Sequence, residues 1–260
     1  MTQGSILSIV NNKGGTGKTT IATHLGVALS KKGKRTLVVD NDTQCNTTQI
    51  LGNQVAGYKT MFELFGEDAQ IDLDQYCTPT NFPNLFCVTN IIETSGYSIS
   101  FSQKYPDSLY LLRDKIRDQA VKKFDYILID CPPTLEIPMG MALCASDAVI
   151  VPIEIGSVHS VKGLNEVLVM IQNMQNHNPD LRFLKLVMNK ADRRTSVAKV
   201  MIQEIQRDYP DDHFKTVLPI CTAFQQAEYL NRTLYEHKGA PGKGTTAYKH
   251  LAEELINEVI

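Results

Sequence analysis

Short apolar runs rich in β-branched residues alternate along the chain with segments whose apolar positions recur every three or four residues. The runs are strand-sized: Ile6 to Val10, Thr36 to Val39, Leu85 to Val88, Tyr126 to Ile129, Ala148 to Pro152, Phe183 to Met188 and Val217 to Ile220. Between them, spacings such as Leu164, Val167, Leu168 and Ile171 draw an apolar stripe along one face of a helix. Near-continuous apolar strands separated by amphipathic helices are the pattern of βαβ units around a parallel sheet covered on both faces. The expected fold is α/β: a doubly wound, mostly parallel sheet with helices on both faces, in one domain over residues 1–260. No internal repeat, low-complexity segment or long linker interrupts the pattern. "HKGAPGKGTTAY" has the wrong spacing for a phosphate loop and is expected to turn into the last helix.

One glycine-rich stretch changes the picture from fold to chemistry. "GGTGKTT", Gly14 to Thr20, follows the first strand and opens the first helix. In that setting the backbone N–H groups of Gly14, Gly15, Thr16, Gly17, Lys18, Thr19 and Thr20 can close around phosphate oxygens, and the helix N-terminus adds partial positive charge. Lys18 reaches the β- and γ-phosphates, and the Thr19 hydroxyl is placed to hold Mg²⁺. Two further apolar runs end in carboxylates. "LVVDNDTQ" puts Asp40 and Asp42 at the carboxyl edge of the sheet, where α/β proteins bind ligands, and "YILID" ends in Asp130, placed to orient Mg²⁺-bound water.

Composition narrows the partners. With 43% hydrophobic residues among 260, the chain can bury a full core, and its formal net charge of -2 requires any nucleic-acid binding to come from a local basic patch. The six cysteines are scattered without a C-x-x-C pair, as expected of free thiols in a cytosol. No apolar run approaches the roughly 20 residues needed to span a bilayer.

The stretch K-G-G-T-G-K-T-T, Lys13 to Thr20, resembles the deviant Walker A box of the ParA/MinD/Soj family of P-loop ATPases. The resemblance runs over nearly the whole chain, with Thr43 and Cys45 standing where that family usually has proline and glycine. It implies ATP and Mg²⁺ as cofactors and a homodimer in the ATP state. Lys13 would then reach the partner subunit's nucleotide, Asp42 would position the attacking water, and Asp40 would support the Mg²⁺ shell. Asp130-Cys131-Pro132-Pro133 resembles the family's switch segment, and Asn189 would contact adenine.

Arg193 and Arg194 follow Asn189, Ser196 is a candidate N-cap, and Lys199 falls in the first turn of the next helix, so the three cations can share one surface. In ParA-type proteins such residues bind DNA without sequence preference, and a ParB-like or other cargo-bound protein stimulates slow hydrolysis. The implied role is plasmid or chromosome segregation in the cytoplasm, on the nucleoid. The alternative within the resemblance is an ATPase that positions a protein cargo, or a MinD-like regulator at a membrane. Against the membrane stands the closing segment: its apolar stripe of Tyr248, Leu251, Ala252, Leu255, Ile256 and Val259 suits packing on the core, and Glu253, Glu254 and Glu258 would repel anionic lipid. An operator-reading extension is not expected, because the first strand begins within a few residues of Met1.

Overall fold

In the computed structural model, residues 3–52, 56–66, 70–237 and 242–258 are described. The elements are β1 Ser5–Ile9, α1 Lys18–Lys31, β2 Thr36–Asp40, α2 Asn46–Leu51, α3 Met61–Gly66, β3 Cys77–Pro79, β4 Leu85–Val88, α4 Ser98–Gln103, α5 Leu111–Lys123, β5 Tyr126–Asp130, α6 Ile137–Ala145, β6 Ala148–Glu154, α7 Val158–Met174, β7 Arg182–Asn189, α8 Ser196–Asp208, α9 Thr222–Tyr229 and α10 Gly242–Glu258. The strands form one sheet of order β3-β4-β2-β5-β1-β6-β7, parallel except where β3 pairs with β4. Every residue of β2 and β5 is buried, which is why these strands read as unbroken apolar runs.

Two cores cover the two faces. One holds α5, α6 and α7 against Ile6, Ile127 and Val149, and the other holds α1 and α10 against Leu7, Leu128 and Ile150. The alternation of Ile6 with Leu7 and Ile127 with Leu128 between the two clusters is the period-2 geometry of a strand. α1 begins at Gly17, whose φ of 91° few other residues adopt, and ends in a Schellman motif. There Gly33 takes φ 79° and Lys34 N–H donates to Leu29 O at 3.1 Å.

The closing helix packs as its stripe predicts. Tyr248, Leu251, Ala252 and Leu255 are buried in the α1-side core and Ile256 packs against it, while Val259 lies outside the described residues, as do 238–241 of the glycine-rich turn. Burying each leucine contributes about 1.5–3 kcal/mol, so this face is committed to α1. No described helix is long and apolar enough to cross a membrane.

Two expectations change. Val217 to Ile220 is not a strand: the segment runs beside β7, with Leu218 N–H donating to Met188 O at 2.8 Å and Ala191 N–H to Leu218 O at 3.0 Å. Ile220 N–H also donates to Ala191 O at 3.2 Å, but β7 ends at Asn189 and Lys190 takes a left-handed φ of 55°, and the pairing stays at isolated bridges. Conversely β3, three residues ending in proline, is too short for its periodicity to register, and it sits at the sheet edge where a proline is tolerated. The segment "MFELF" does form a short helix, α3, with Met61 and Leu64 buried.

Candidate functional site

At the carboxyl edge of the sheet, β1 ends beside β5 and β5 beside β2, with Ile9 opposite Asp130 and Asp130 opposite Asp40. The register alone brings these carboxylates to the mouth of the glycine loop. A cavity of about 270 Å³ opens there, its lining including Gly15, Lys18, Thr19, Asp42, Lys190 and Glu228. Gly14, Gly17 and Thr20 line it as well.

Thr19 and Asp130 meet directly. The Thr19 hydroxyl donates to Asp130 Oδ2 at 2.8 Å, and the Thr47 hydroxyl donates to the same oxygen at 2.8 Å. Asp130 is wholly buried, and its Oδ1 has no partner among the described residues. Burial pushes this carboxyl up to about 6, against the hydrogen bonds from Thr19 and Thr47 that favour its ionised form. An unpartnered buried carboxylate oxygen beside a threonine hydroxyl is the donor set of a hard cation with oxygen ligands, so these residues fit Mg²⁺.

Lys18 lies 7% exposed, its Nζ donating to Lys13 O at 3.0 Å across the loop. Burial lowers its pKa, while the charges of Asp130 and Asp42 oppose that shift. Asp42 is buried at the pocket wall, with Oδ1 accepting Gln44 N–H at 2.9 Å. Lys13 has its backbone N–H held by Asn11 Oδ1 at 2.9 Å. Its side chain lies along α7, so close that a Cβ on Gly163 would meet Lys13 Cε at 2.8 Å, and the neighbouring Asn12 amide donates to Glu166 on the same helix.

Two of the expected site residues are held by contacts within the chain. Asp40 Oδ2 accepts Thr48 N–H at 2.8 Å and Thr48 Oγ1–H at 2.6 Å, and its Oδ1 accepts Asp42 N–H at 3.3 Å. Its carboxylate ties the end of β2 to the Asp42 loop and the start of α2. Burial, then the charge of Asp130, pushes it up to about 7. Asn189, expected to contact adenine, has its amide engaged elsewhere. Nδ2 donates to Thr16 O at 2.8 Å and Oδ1 accepts Lys190 N–H at 2.8 Å, so it braces the glycine loop. The brace needs glycine opposite it, since a Cβ at Gly17 would lie 2.3 Å from Asn189 Nδ2.

Thr47 and Lys190 were missed from the sequence. Lys190 takes a left-handed φ of 55° and bonds through Nζ to Gly15 O, directly over the loop. Its position immediately after Asn189 is the only sequence signal for it. Thr47 has none, being a hydroxyl residue among several in "CNTT".

Away from this site, Arg193 lines a cavity of about 660 Å³ with Lys215, Lys243 and His250, where α10 begins. Arg194 is engaged instead with Asp192, at 2.8 Å from Nε and 2.7 Å from Nη2, and Lys199 stands exposed on α8. The N-cap of α8 is Thr195 and not Ser196: Thr195 Oγ1 accepts Ala198 N–H at 3.2 Å.

Residues 4–183 match the family model described as an AAA domain. The chain is 33% identical over 257 residues to the sporulation initiation inhibitor protein Soj of Bacillus subtilis (strain 168), covering 97% of this chain and 98% of that one. It is 32% identical over 258 residues to the chromosome partitioning protein ParA of Caulobacter vibrioides (strain NA1000 / CB15N), covering 97% and 94%. Its fold is shared by the septum site-determining protein MinD of Pyrococcus horikoshii OT3, solved with Mg-ADP. That comparison gives a TM-score of 0.75 at 24% identity over 96% of this chain and 95% of that one.

Proposed function

The chain belongs to the ParA/Soj group of the ParA/MinD superfamily of P-loop ATPases, and from that membership we propose that it is a partition ATPase working as an ATP-gated dimer. In this reading it binds ATP with Mg²⁺, pairs with a second copy, holds DNA without sequence preference, and is reset when a cargo-bound partner stimulates slow hydrolysis. The observation that carries the nucleotide part is Asp130 Oδ1, a buried carboxylate oxygen without a partner beside Thr19 at the foot of the glycine loop.

Thr19 and Asp130 would hold the Mg²⁺, whose charge offsets that developing on the phosphates. The amides of residues 14–20 and Lys18 Nζ hold the phosphate oxygens, and Asp42 orients the attacking water. Lys13, resting on α7 in the single chain, would swing to the partner's nucleotide, so that phosphoryl transfer is fully supported only in the dimer. Lys13→Ala is expected to bind ATP yet stay monomeric, read by light scattering with ATP·Mg²⁺; a dimer of unchanged stability would remove the lysine from the interface.

Gly17→Ala would place a Cβ 2.3 Å from Asn189 Nδ2 at a residue with φ 91°. Strain of about 1–3 kcal/mol concentrated in the loop is expected to weaken nucleotide binding by about tenfold or more, with the far-ultraviolet dichroism unchanged. Titration with a fluorescent nucleotide reads this.

The DNA part rests on the basic cavity. Arg193, Lys215, Lys243 and His250 converge on one concave surface, whereas Arg194 reaches a phosphate only by leaving Asp192, and Lys199 adds an outlying charge. Co-sedimentation with arbitrary duplex DNA tests it: binding in ATP·Mg²⁺ but not ADP·Mg²⁺, lost at raised salt and in Arg193→Ala and Lys215→Ala, is the expected result. Binding indifferent to nucleotide or to these cations would overturn the DNA reading. The apolar face of α10 packs on α1 and is not free to lie on a lipid surface.

A further inference from the structure

A smaller cavity, of about 170 Å³, lies behind the Asp42 loop. Its walls come from both sides of the nucleotide-facing edge, with Asn41 and Thr43 flanking Asp42 and with Glu136 and Pro138 at the start of α6, beyond the Asp130 strand. Phe65, Phe101 and Met141 supply apolar surface, the two rings meeting edge to face at 5.1 Å. The volume falls below the roughly 300–1,000 Å³ of drug-sized ligand sites and suits a fragment or a single side chain.

The polar lining combines amides and hydroxyls with one formal charge, the carboxylate of Glu136. Asn41 Nδ2 is spent on Pro138 O at 2.7 Å and Asn90 Nδ2 on Asp42 O at 3.3 Å. Among the acceptors that remain are Asn41 Oδ1 and the carboxylate of Glu136. Thr94, which lines the same cavity at 5% exposure, keeps a buried hydroxyl with no partner among the described residues. No lysine or arginine is among the lining residues. The surroundings are negative as well: after burial, the charges of Asp40, Asp42 and Glu93 push the adjacent Cys45 thiol up to about 11.

We propose that this cavity binds a compact alkylguanidinium group, with its charge answered by Glu136, its N–H donors by the oxygens of Asn41 and Thr94, and its stem by Phe65, Phe101 and Met141. An anion would face Glu136 with no compensating cation. A hydrocarbon would leave the oxygens of Asn41 and Thr94 unpaired, at a cost of about 1–3 kcal/mol each. A guanidinium is planar, brings several N–H donors in one plane, and stacks on aromatic faces, which an ammonium does less well. Its occupant would touch the segments on both sides of the Mg²⁺ and water carboxylates at once. The site itself does not depend on the proposed function, since it is defined by its lining alone.

Isothermal titration of the full-length protein with n-butylguanidine tests the proposal, with n-butylurea as the neutral isostere and an acetyl-Gly-Arg-Gly-amide peptide as a second source of the same group. Expected are saturable millimolar binding of butylguanidine, none of butylurea, and affinity about tenfold weaker in Glu136→Gln, with a smaller loss in Thr94→Val. Tighter binding of the peptide assigns the site to an arginine displayed on another chain, and weaker binding assigns it to a free guanidino compound. Glu136 is exposed and Thr94→Val nearly isosteric, so both variants are expected to fold, which circular dichroism checks. Absence of butylguanidine binding, equal binding of butylurea, or affinity unchanged in both variants would overturn the proposal and leave the cavity to water.

Discussion

Lys18→Ala is expected to lower ATP turnover by at least about a thousandfold, in line with the loss of a cation that stabilises charge in phosphoryl transfer. The side chain is buried between Asp130 and Asp42, and its Nζ bridges the loop to Lys13 O at 3.0 Å. Removing it therefore takes away a charge at the γ-phosphate and a brace of the loop together. A second consequence follows from Asp130. Burial already lifts that carboxyl to about 6, and Lys18 is one of the influences holding it down. The folded carboxyl is raised above its ordinary value, so protons occupy it as pH falls through about 6, and Mg²⁺ requires the ionised form. Mg²⁺·nucleotide binding is expected to weaken below about pH 6 in the native protein, and in Lys18→Ala the same weakening should set in at higher pH. Turnover assays and magnesium titrations across pH read both effects; a thousandfold-active Lys18→Ala relative to this expectation would assign the phosphate charge to another cation.

His24→Ala is expected to cost about 3–5 kcal/mol of folding stability, the range for truncating a large buried ring. The imidazole is 3% exposed, with ring centroids of Phe224 and Tyr248 each at 5.2 Å. Its Nδ1 lies 2.8 Å from Thr20 O and its Nε2 accepts Leu234 N–H at 2.8 Å, so the neutral ring with the proton on Nδ1 satisfies both. Alanine would leave the Leu234 N–H buried without an acceptor. Burial lowers this pKa to about 4. The unfolded chain thus takes up a proton between about pH 6.5 and 4 that the folded chain refuses, and the histidine's contribution is full above about 6.5 and declines toward 4. Asp40 and Asp130 act in the opposite direction over part of that window, because their folded forms hold protons longer. Subtracting His24→Ala from the native protein in urea unfolding at each pH cancels them. The difference is expected to shrink on acidification by up to on the order of 3 kcal/mol; a difference independent of pH would mean that the ring is charged or hydrated in the fold.

This histidine also joins the phosphate-loop helix to the segment that follows α9, the helix that sends Glu228 to the nucleotide pocket. Nothing in "TTIATHLG" separates it from an ordinary polar residue on a helix. The N–H that its Nε2 accepts is 210 residues away in sequence.

The sequence by itself determined the strands that carry a carboxylate at their end, the glycine loop, and the inward face of the closing helix. These follow from local rules: a period of two or of three to four, glycine where φ is positive, and an apolar stripe that has to be covered. Only the tertiary structure decided which polar atom meets which. Asp40 and Asp130 end equivalent strands, yet Asp40 uses both oxygens, on Thr48 and on Asp42 N–H, whereas Asp130 takes Thr19 and Thr47 on Oδ2 alone and keeps Oδ1 free. Thr47 reaches Asp130 across 83 residues and Asn189 reaches Thr16 across 173, contacts set by strand register and not by spacing. The run Val217 to Ile220 pairs with β7 only through isolated bridges, an outcome its apolar pattern does not distinguish from a strand. A periodic pattern constrains the face a side chain takes, whereas a hydrogen bond needs both partners within about 3 Å, and that distance exists only after the elements have packed.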